Sequence, residues 1–135
     1  MQTFLPYADF EKSAQCLDYR RLGKQRVEAR QILNTLLHGG SWQKHPAVLM
    51  WKDYKDALTV YSNVMIREWI RRGYKNNMKF ISLDFYPWYI EPSWLGDERF
   101  HASHRSNLLR KYPEYYSQYN WSESNDLPYF WPTKQ

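Results

Sequence analysis

A short charged stretch, residues 17–28, carries the side chains of this chain that could do acid–base chemistry. On a helix that turns about 100° per residue, Arg21, Lys24 and Glu28 fall on one narrow arc, with Arg20 at its margin. One carboxylate is thereby held among two or three cations, which favours a site for an anionic ligand with Glu28 as its acid–base group. The alternative is a solvated helix face with weak ion pairs one turn apart.

The length and charge of the chain limit the class of protein. We expect its 135 residues to form a single domain over 1–135 with a core that needs no disulfide or metal. The 19 Lys and Arg against 14 Asp and Glu give a net charge of +5, which favours polyanions such as nucleic acid or an acidic membrane surface. The 7 Trp and 12 Tyr suit the stacking of nucleic-acid bases, although some would simply fill the core.

The cellular setting follows from cysteine and hydropathy. The single cysteine, Cys16, cannot form an internal disulfide and favours a reducing compartment. No apolar run approaches the ~20 residues of a membrane span, and residues 1–10 lack the pattern of a signal peptide. We therefore expect a cytoplasmic protein without membrane contact.

Residues around the charged stretch predict an ordered arm and two helices. The apolar arm, Met1–Tyr7, is expected to be buried. A short helix over Asp9–Gln15 has Asp9 as its N-cap, and a long helix over Tyr19–Leu37 has Asp18 as its N-cap and glycines after its end. The core side of the long helix carries an apolar stripe of Leu22, Ala29, Ile32, Leu33 and Leu36.

Two further helices complete the predicted fold. One begins at His45-Pro46 and runs without a break to Gly73, and another covers His101–Lys111 and stops before Pro113. The segment between them, 74–100, reads as an irregular aromatic-rich connection, and the tail over 112–131 is expected to pack back onto the body. The fold class is therefore all-α, a compact domain of three main helices with long, irregular, aromatic-rich connections.

Histidine and arginine side chains at two helix starts suit an anion. His45 would face it beside unpaired backbone N–H groups, or would only cap its helix. His101, His104, Arg105 and Lys111 share one side of the third helix. Two histidines three residues apart could indicate a metal, but no third ligand accompanies them, so neither a metal nor another cofactor is predicted. A phosphate fits this cluster better.

Three blocks of the chain resemble the pyrimidine-dimer DNA glycosylase/AP-lyase family, which includes phage endonuclease V. They are Leu-Asp-Tyr-Arg-Arg-Leu at 17–22, the segment 46–74 that ends Arg-Arg-Gly-Tyr, and the segment 101–116 that ends Pro-Glu-Tyr-Tyr. More specifically, Met-Gln-Thr-Phe-Leu-Pro-Tyr, Arg-Leu-Gly-Lys-Gln-Arg-Val-Glu, His-Pro-Ala and Ser-His-Arg-Ser-Asn-Leu-Leu-Arg-Lys are similar to a divergent bacterial and phage branch.

The resemblance implies a compact three-helix protein that acts on duplex DNA. It implies base flipping, attack of an amine on C1′, a Schiff base and β-elimination at the abasic site. A glutamate of the first long helix would stabilise the cationic sugar and move protons. We expect a bacterial or phage-encoded monomer associated with the nucleoid, and a single endonuclease V-like helical domain over 1–135.

The sequence departs from the family pattern at two positions. The family's nucleophile is a threonine amine exposed by removal of methionine, whereas Gln2 should prevent that removal and leave the α-amine on Met1. The family's catalytic glutamate aligns most simply with Arg21, so the carboxylate would have moved along the helix to Glu28. Lys24 then becomes a second candidate amine, provided that burial and a neighbouring guanidinium lower its pKa.

The predicted function is excision of a damaged or modified base from duplex DNA by a glycosylase, with the AP-lyase step left open. The nucleophile would be the amine of Met1 or Lys24, or a water activated by Glu28. The alternatives are a DNA-binding module of the same fold without catalysis and an enzyme that acts on a small nucleotide. The residues predicted to hold DNA phosphates are Arg20, Arg21, Arg26, His45, His101, His104, Arg105 and Lys111.

Overall fold

Helices form all of the regular secondary structure that the computed structural model describes, over residues 1–82 and 88–132. The predicted all-α class is confirmed. Residues 83–87 of the predicted aromatic connection lie outside the described residues. The elements are α1 (Phe10–Cys16), α2 (Tyr19–His38), α3 (Pro46–Leu49), α4 (Lys55–Arg71), α5 (Glu98–Lys111), α6 (Pro113–Tyr116) and a 3₁₀ turn over Ser117–Tyr119.

Local capping signals set the ends of α1 and α2. The Asp9 carboxylate accepts a hydrogen bond from the Lys12 N–H at 3.0 Å, and the Asp18 carboxylate accepts from the Arg21 N–H at 3.5 Å. At the other end of α2, Gly39 adopts a φ of +77°, which glycine takes without steric cost. The predicted caps and bounds of these two helices are confirmed to within a residue.

The single helix predicted from Pro46 to Gly73 is wrong, because the chain leaves helical geometry between Leu49 and Lys55. The side chain of Trp51 is fully buried there, and its indole N–H donates to the Thr3 hydroxyl at 3.0 Å. The carbonyl of Met50 accepts from the Trp94 indole at 2.9 Å. These non-local contacts outweigh the helical pattern, which is a weak preference in a packed core.

The third predicted helix begins nearly one turn earlier than expected. Its N-cap is Asp97, whose carboxylate accepts from the Arg99 N–H at 3.1 Å, so α5 starts at Glu98 rather than His101. Its end at Lys111 is confirmed, and Pro113 starts the short helix α6. In the described ranges, no helix is both long and apolar enough to cross a bilayer.

The packing of α2 against α4 forms the centre of the core. The predicted apolar stripe of α2 is confirmed: Leu22, Ala29, Ile32 and Leu33 are buried, and Leu36 packs at the edge. Gly23 allows a close approach of the two helices, since a Cβ at this position would lie 2.9 Å from the Trp69 ring. The large buried side chains that fill the space between the helices include Trp51, Leu58, Tyr61 and Met65.

The N-terminal arm lies inside the molecule, as predicted, and side chains take its backbone N–H groups. Residues 2–5 are buried. Every N–H of this run donates to a side chain at 2.9 Å: those of Gln2, Thr3, Phe4 and Leu5 to Glu28, Gln2, Gln25 and His104, respectively. Because α2 and α5 supply most of the acceptors, they fix the arm along its whole length.

The carbonyl groups of the arm are satisfied in the same way. The Tyr61 hydroxyl donates to the Phe4 carbonyl at 2.9 Å, and His101 Nδ1 donates to the Leu5 carbonyl at 2.7 Å. Arg105 donates to the Pro6 carbonyl at 2.7 Å. The arm is thus an extended segment paired with side chains rather than with a second strand, and it is positioned by α4 and α5 as well as by α2.

Candidate active site

Glu28 lies at the point where the arm crosses α2. It is only 7 % exposed. Its Oε2 accepts from the Gln2 N–H at 2.9 Å, and its Oε1 lies 3.5 Å from Lys24 Nζ. One carboxylate oxygen is thus fixed by a neutral backbone donor and the other faces a cation, so the group is held in a single orientation.

A cleft of about 380 Å³ opens over this carboxylate. The arm and α2 form its floor, and the end of α5 and the C-terminal tail form its walls. The three candidate catalytic residues and three of the predicted phosphate-binding cations meet here. The cleft is lined by Met1, Gln2, Phe4, Arg20, Arg21, Lys24, Gln25, Glu28, Lys111 and Tyr129.

Lys24 lies at the surface rather than in the buried position that we expected for it. Its side chain is 71 % exposed, because the arm covers Glu28 one turn further along α2 but leaves Lys24 at the rim. Its ammonium group pairs with the Glu28 carboxylate in water-accessible space. Lys24 is therefore a rim cation of the cleft.

Met1 lines the same cleft. It is partly buried, and the residue that follows it is bonded to Glu28. Burial lowers the pKa of His45, and the positive amine of Met1 lowers it further while Glu28 acts in the opposite direction. His45 is therefore within electrostatic reach of both groups.

Three cations separate this cleft from a second one of about 640 Å³. Arg20, Arg21 and Lys111 line both clefts. Arg21 is partly neutralised by Asp18, which lies 3.2 Å from its guanidinium. The exposed Arg20 instead donates to the Tyr19 hydroxyl at 3.2 Å. Burial lowers the pKa of Lys111, and Arg21 lowers it further. We call these three residues the cationic ridge.

Five of the eight predicted phosphate-binding residues do not line the cleft, and two of these, Arg26 and His45, lie on other parts of the fold. The Arg26 guanidinium packs 4.2 Å from the Trp69 ring and donates to Asn76 Oδ1 at 2.7 Å, on another side of α2. His45 is the N-cap of α3, and its Nδ1 accepts from the Ala47 N–H at 3.0 Å. Of the two roles expected for His45, anion binding and helix capping, the structure shows helix capping.

The α5 cluster of His101, His104 and Arg105 is buried behind the arm rather than exposed to a ligand. Complete burial lowers the pKa of His104 to about 3, so its ring is neutral and Nδ1 can accept from the Leu5 N–H. Arg105 donates to the Pro6 carbonyl and pairs with Glu98 and Glu123. Contact with phosphate stays a prediction for these three residues, and their hydrogen bonds serve to position the arm.

Sequence reasoning missed two glutamines of the site, Gln2 and Gln25. Gln25 is buried, and its Oε1 accepts from the Phe4 N–H at 2.9 Å. A signal was available for Gln25, because it occupies the core register of α2 between Leu22 and Ala29, where a buried amide must find partners. No comparable signal marks Gln2, whose burial depends on the whole fold.

The described residues contain no group of three or more His, Cys, Asp or Glu side chains that could hold a metal ion. The polar groups of the cleft are instead one carboxylate, two amides and several cations. This set can bind an anionic ligand, stabilise a developing positive charge and transfer a proton.

Comparison with known proteins agrees with this chemistry. Residues 1–82 match the family model described as pyrimidine dimer DNA glycosylase. The match covers more than half of the 135 residues, so the chain belongs to this family of DNA glycosylases, and the resemblance predicted from the sequence is confirmed. The matched segment contains the arm and α2, and with them Met1, Lys24 and Glu28. No curated protein and no solved structure matches the chain.

Proposed function

We propose that this protein excises a damaged pyrimidine from duplex DNA, with the target nucleotide flipped into the cleft over Glu28. The observation that carries the proposal is the fixed carboxylate: Glu28 is buried, held by the Gln2 N–H at 2.9 Å, and surrounded by the cations of the cleft. A carboxylate in this position stabilises the positive charge that develops on the sugar as the base departs.

The cationic ridge suits the DNA backbone on either side of the flipped nucleotide. Arg20, Arg21 and Lys111 present their charges at the mouth of the cleft, where they can neutralise phosphates without reading the sequence. Flipping is needed because C1′ of a stacked nucleotide cannot be reached inside a duplex. The membership of the chain in a DNA glycosylase family supports the same arrangement.

The nucleophile that we propose is the α-amine of Met1. An α-amine has an ordinary pKa of about 8 and a lysine of about 10.4, so more of the former is neutral and reactive near pH 7. Lys24 is also held by its ion pair with Glu28. In our scheme the amine attacks C1′, and the C1′–N bond to the base breaks with its electron pair leaving on the base. The C1′–O4′ bond then breaks, O4′ takes a proton, and the lone pair of the amine nitrogen forms the C=N bond of a protonated Schiff base.

The lyase step would follow from the same intermediate. The imine acidifies the C2′ hydrogen, and Glu28 removes that proton. The electron pair forms a C2′–C3′ double bond, conjugated with the imine, as the C3′–O bond breaks and its electron pair leaves on the phosphate. The strand is thereby cut on the 3′ side of the abasic sugar. If water attacks instead of the amine, Glu28 is the base that activates it, and no strand cleavage follows.

The test uses a duplex oligonucleotide with one cyclobutane pyrimidine dimer. We expect the wild-type protein to excise the base and to form a borohydride-trapped adduct on the peptide that contains Met1. The Glu28→Gln variant should lose about 100-fold or more of the excision rate, the usual share of a positioned acid–base group, with little change in DNA affinity. The matched control is Glu68→Gln, since Glu68 is a buried glutamate that pairs with Arg71 and Arg72 on α4, away from the cleft.

Three results bear on the alternatives. An adduct on Lys24 would move the nucleophile, and excision without an adduct would indicate attack by water. DNA binding without excision, with Glu28→Gln indistinguishable from wild type, would contradict catalysis and indicate a non-catalytic DNA-binding module.

A further inference from the structure

The side-chain amide of Gln2 is held in one orientation on the floor of the cleft. Gln2 lines the cleft and is 6 % exposed. Its Oε1 accepts from the Thr3 N–H at 2.9 Å. A flipped amide would place two N–H groups against that N–H donor, so the oxygen end is fixed and the NH₂ end faces the other way.

The NH₂ group of Gln2 has no hydrogen-bond partner. Its nitrogen is sealed from solvent, and among the described residues it is the single buried side-chain polar atom of the cleft lining that lacks a partner. The carboxylate of Glu28 already faces the backbone N–H of Gln2 and the ammonium of Lys24. Buried donors without acceptors are rare in folded proteins because each forfeits its hydrogen bonds to water, and functional sites account for many exceptions.

We propose that Gln2 is a specificity residue that donates this hydrogen bond to a carbonyl oxygen of the flipped base. The inference rests on the proposed function of the cleft. When the C1′–N bond breaks, the electron pair stays on the base and is shared between the ring nitrogen and an adjacent carbonyl oxygen. A donor aimed at that oxygen stabilises the departing base more than the bound base, and so accelerates the step.

The other polar groups of the cleft suit other parts of the substrate. Glu28 accepts hydrogen bonds and favours positive charge, and the cationic ridge lies at the mouth, where phosphates would pass. Gln2 supplies a neutral donor at the floor. A pyrimidine has a carbonyl next to its glycosidic nitrogen and a purine does not, so this donor selects pyrimidines.

Because the amide nitrogen of Gln2 is sealed from solvent, a neighbouring side chain must move before a base can reach it. Met1, next to Gln2, is partly buried and lines the same cleft. Its unbranched side chain can turn aside at low cost. The donor therefore stays dry in the absence of substrate and is engaged as the base enters.

Two variants and two DNA substrates test this role. Gln2→Met removes the whole amide, and Gln2→Glu removes the donor but keeps an oxygen for the Thr3 N–H. The first duplex carries a cyclobutane pyrimidine dimer, and the second carries a preformed abasic site, which has no base to contact. We expect both variants to slow base excision about 100-fold, the loss that follows removal of one preorganised donor, with cleavage at the abasic site unchanged.

The control is Gln25→Met. Gln25 also lines the cleft, but its amide oxygen already accepts from the Phe4 N–H and the Tyr61 hydroxyl, so its loss loosens the arm and should slow both reactions equally. Equal slowing of both reactions by the Gln2 variants would overturn the proposal, and so would unchanged excision. If wild type excises bases but does not cut abasic DNA, unchanged affinity for a duplex with a tetrahydrofuran abasic analogue replaces the second rate. Gln2→Glu covers the case in which Gln2→Met does not fold. Wild type that acts on neither duplex refutes the proposed function itself.

Discussion

The two histidines of α5 show at the residue scale how burial decides what a titratable side chain can do. His101 Nδ1 donates to the Leu5 carbonyl, and its Nε2 accepts from the Gly96 N–H at 2.9 Å. His104 Nδ1 accepts from the Leu5 N–H. Both rings must therefore be neutral, and desolvation lowers the pKa of each, that of His104 to about 3. Two neutral histidine rings thus bind the backbone N–H and the carbonyl of Leu5 in the arm.

This burial predicts a loss of stability in mild acid. From about pH 6.5 downward the unfolded chain binds a proton at position 104, whereas folded His104 stays neutral until about pH 3. The free energy of unfolding should therefore fall as the pH is lowered through this window, by up to about 1.4 kcal/mol per pH unit from this group. Urea denaturation from neutral pH to about pH 5 measures the slope.

The control for this prediction is His104→Asn. Its amide oxygen can accept from the Leu5 N–H but does not titrate. The slope of the free energy of unfolding against pH should therefore shrink by the contribution of the one proton that position 104 no longer binds. Carboxylates with lowered pKa values, such as Glu68 and Glu123, add a slope of the same sign at lower pH in both proteins and cancel in the comparison. Equal slopes would show that His104 is protonated in the folded state.

At the scale of elements, the register of α2 against α4 depends on one aromatic ring. The ring of Trp69 packs against Gly23 on α2 and lies 4.2 Å from the Arg26 guanidinium and 4.5 Å from the Tyr74 ring. Its indole N–H donates to the Lys75 carbonyl at 2.9 Å. Because the ring is held on several sides, it has little room to move. Its contact with α2 therefore fixes the rotation of that helix about its own axis, and with it the direction in which Glu28 points.

Gly23→Ala should therefore destabilise the protein. An alanine inside a helix normally raises the free energy of unfolding by about 1 kcal/mol relative to glycine. At this position, however, a Cβ would lie 2.9 Å from the Trp69 ring. Overpacking of this kind costs about 1–3 kcal/mol. Thermal or urea denaturation measures the net change, and in a Trp69→Leu background the same substitution should be neutral or stabilising. Stabilisation in the wild-type background would mean that the two helices can separate freely.

At the scale of the whole molecule, three of the 19 Lys and Arg side chains form the cationic ridge between the two clefts. Exposed rings of Tyr19 and Tyr112 flank it in the second cleft. Other cations serve the fold: Arg105 holds the arm and Arg72 caps α1 through the carbonyls of 14 and 15. We therefore expect DNA affinity to depend on particular cations more than on the total charge.

Two arginines of α2 allow a matched test of this expectation. Arg20→Gln should weaken DNA binding and reduce the slope of log Kd against log salt by about 1, the effect of losing one phosphate contact. Arg26→Gln removes the same charge from the same helix, but Arg26 lies on Trp69 and Asn76, so the salt slope should stay close to that of wild type. Fluorescence anisotropy at several salt concentrations gives both slopes. Similar slopes for the two variants would indicate diffuse attraction.

Local signals in the sequence were enough to predict α1 and α2, because the ends of these helices are set by capping residues that adjoin them. The caps at Asp9, Asp18 and Gly39 need only neighbouring N–H and C=O groups, and the arc of α2 placed Glu28 beside buried surface. Non-local pairs were beyond reach. The break before α4 depends on Trp51 meeting Thr3, and His104 meets Leu5 across 99 positions of sequence. Charged or histidine-rich patterns predict phosphate contact equally well whether the side chains face solvent or the interior.

The long separation between the arm and α5 has a consequence for synthesis on the ribosome. The arm emerges first, while its partners on α5 follow about 100 residues later in a chain that grows by about 5–20 residues per second. The arm cannot complete its contacts until α5 has left the exit tunnel. In a nascent chain the cleft over Glu28 therefore stays incomplete for seconds, because the end of α5 also supplies Lys111 to its lining.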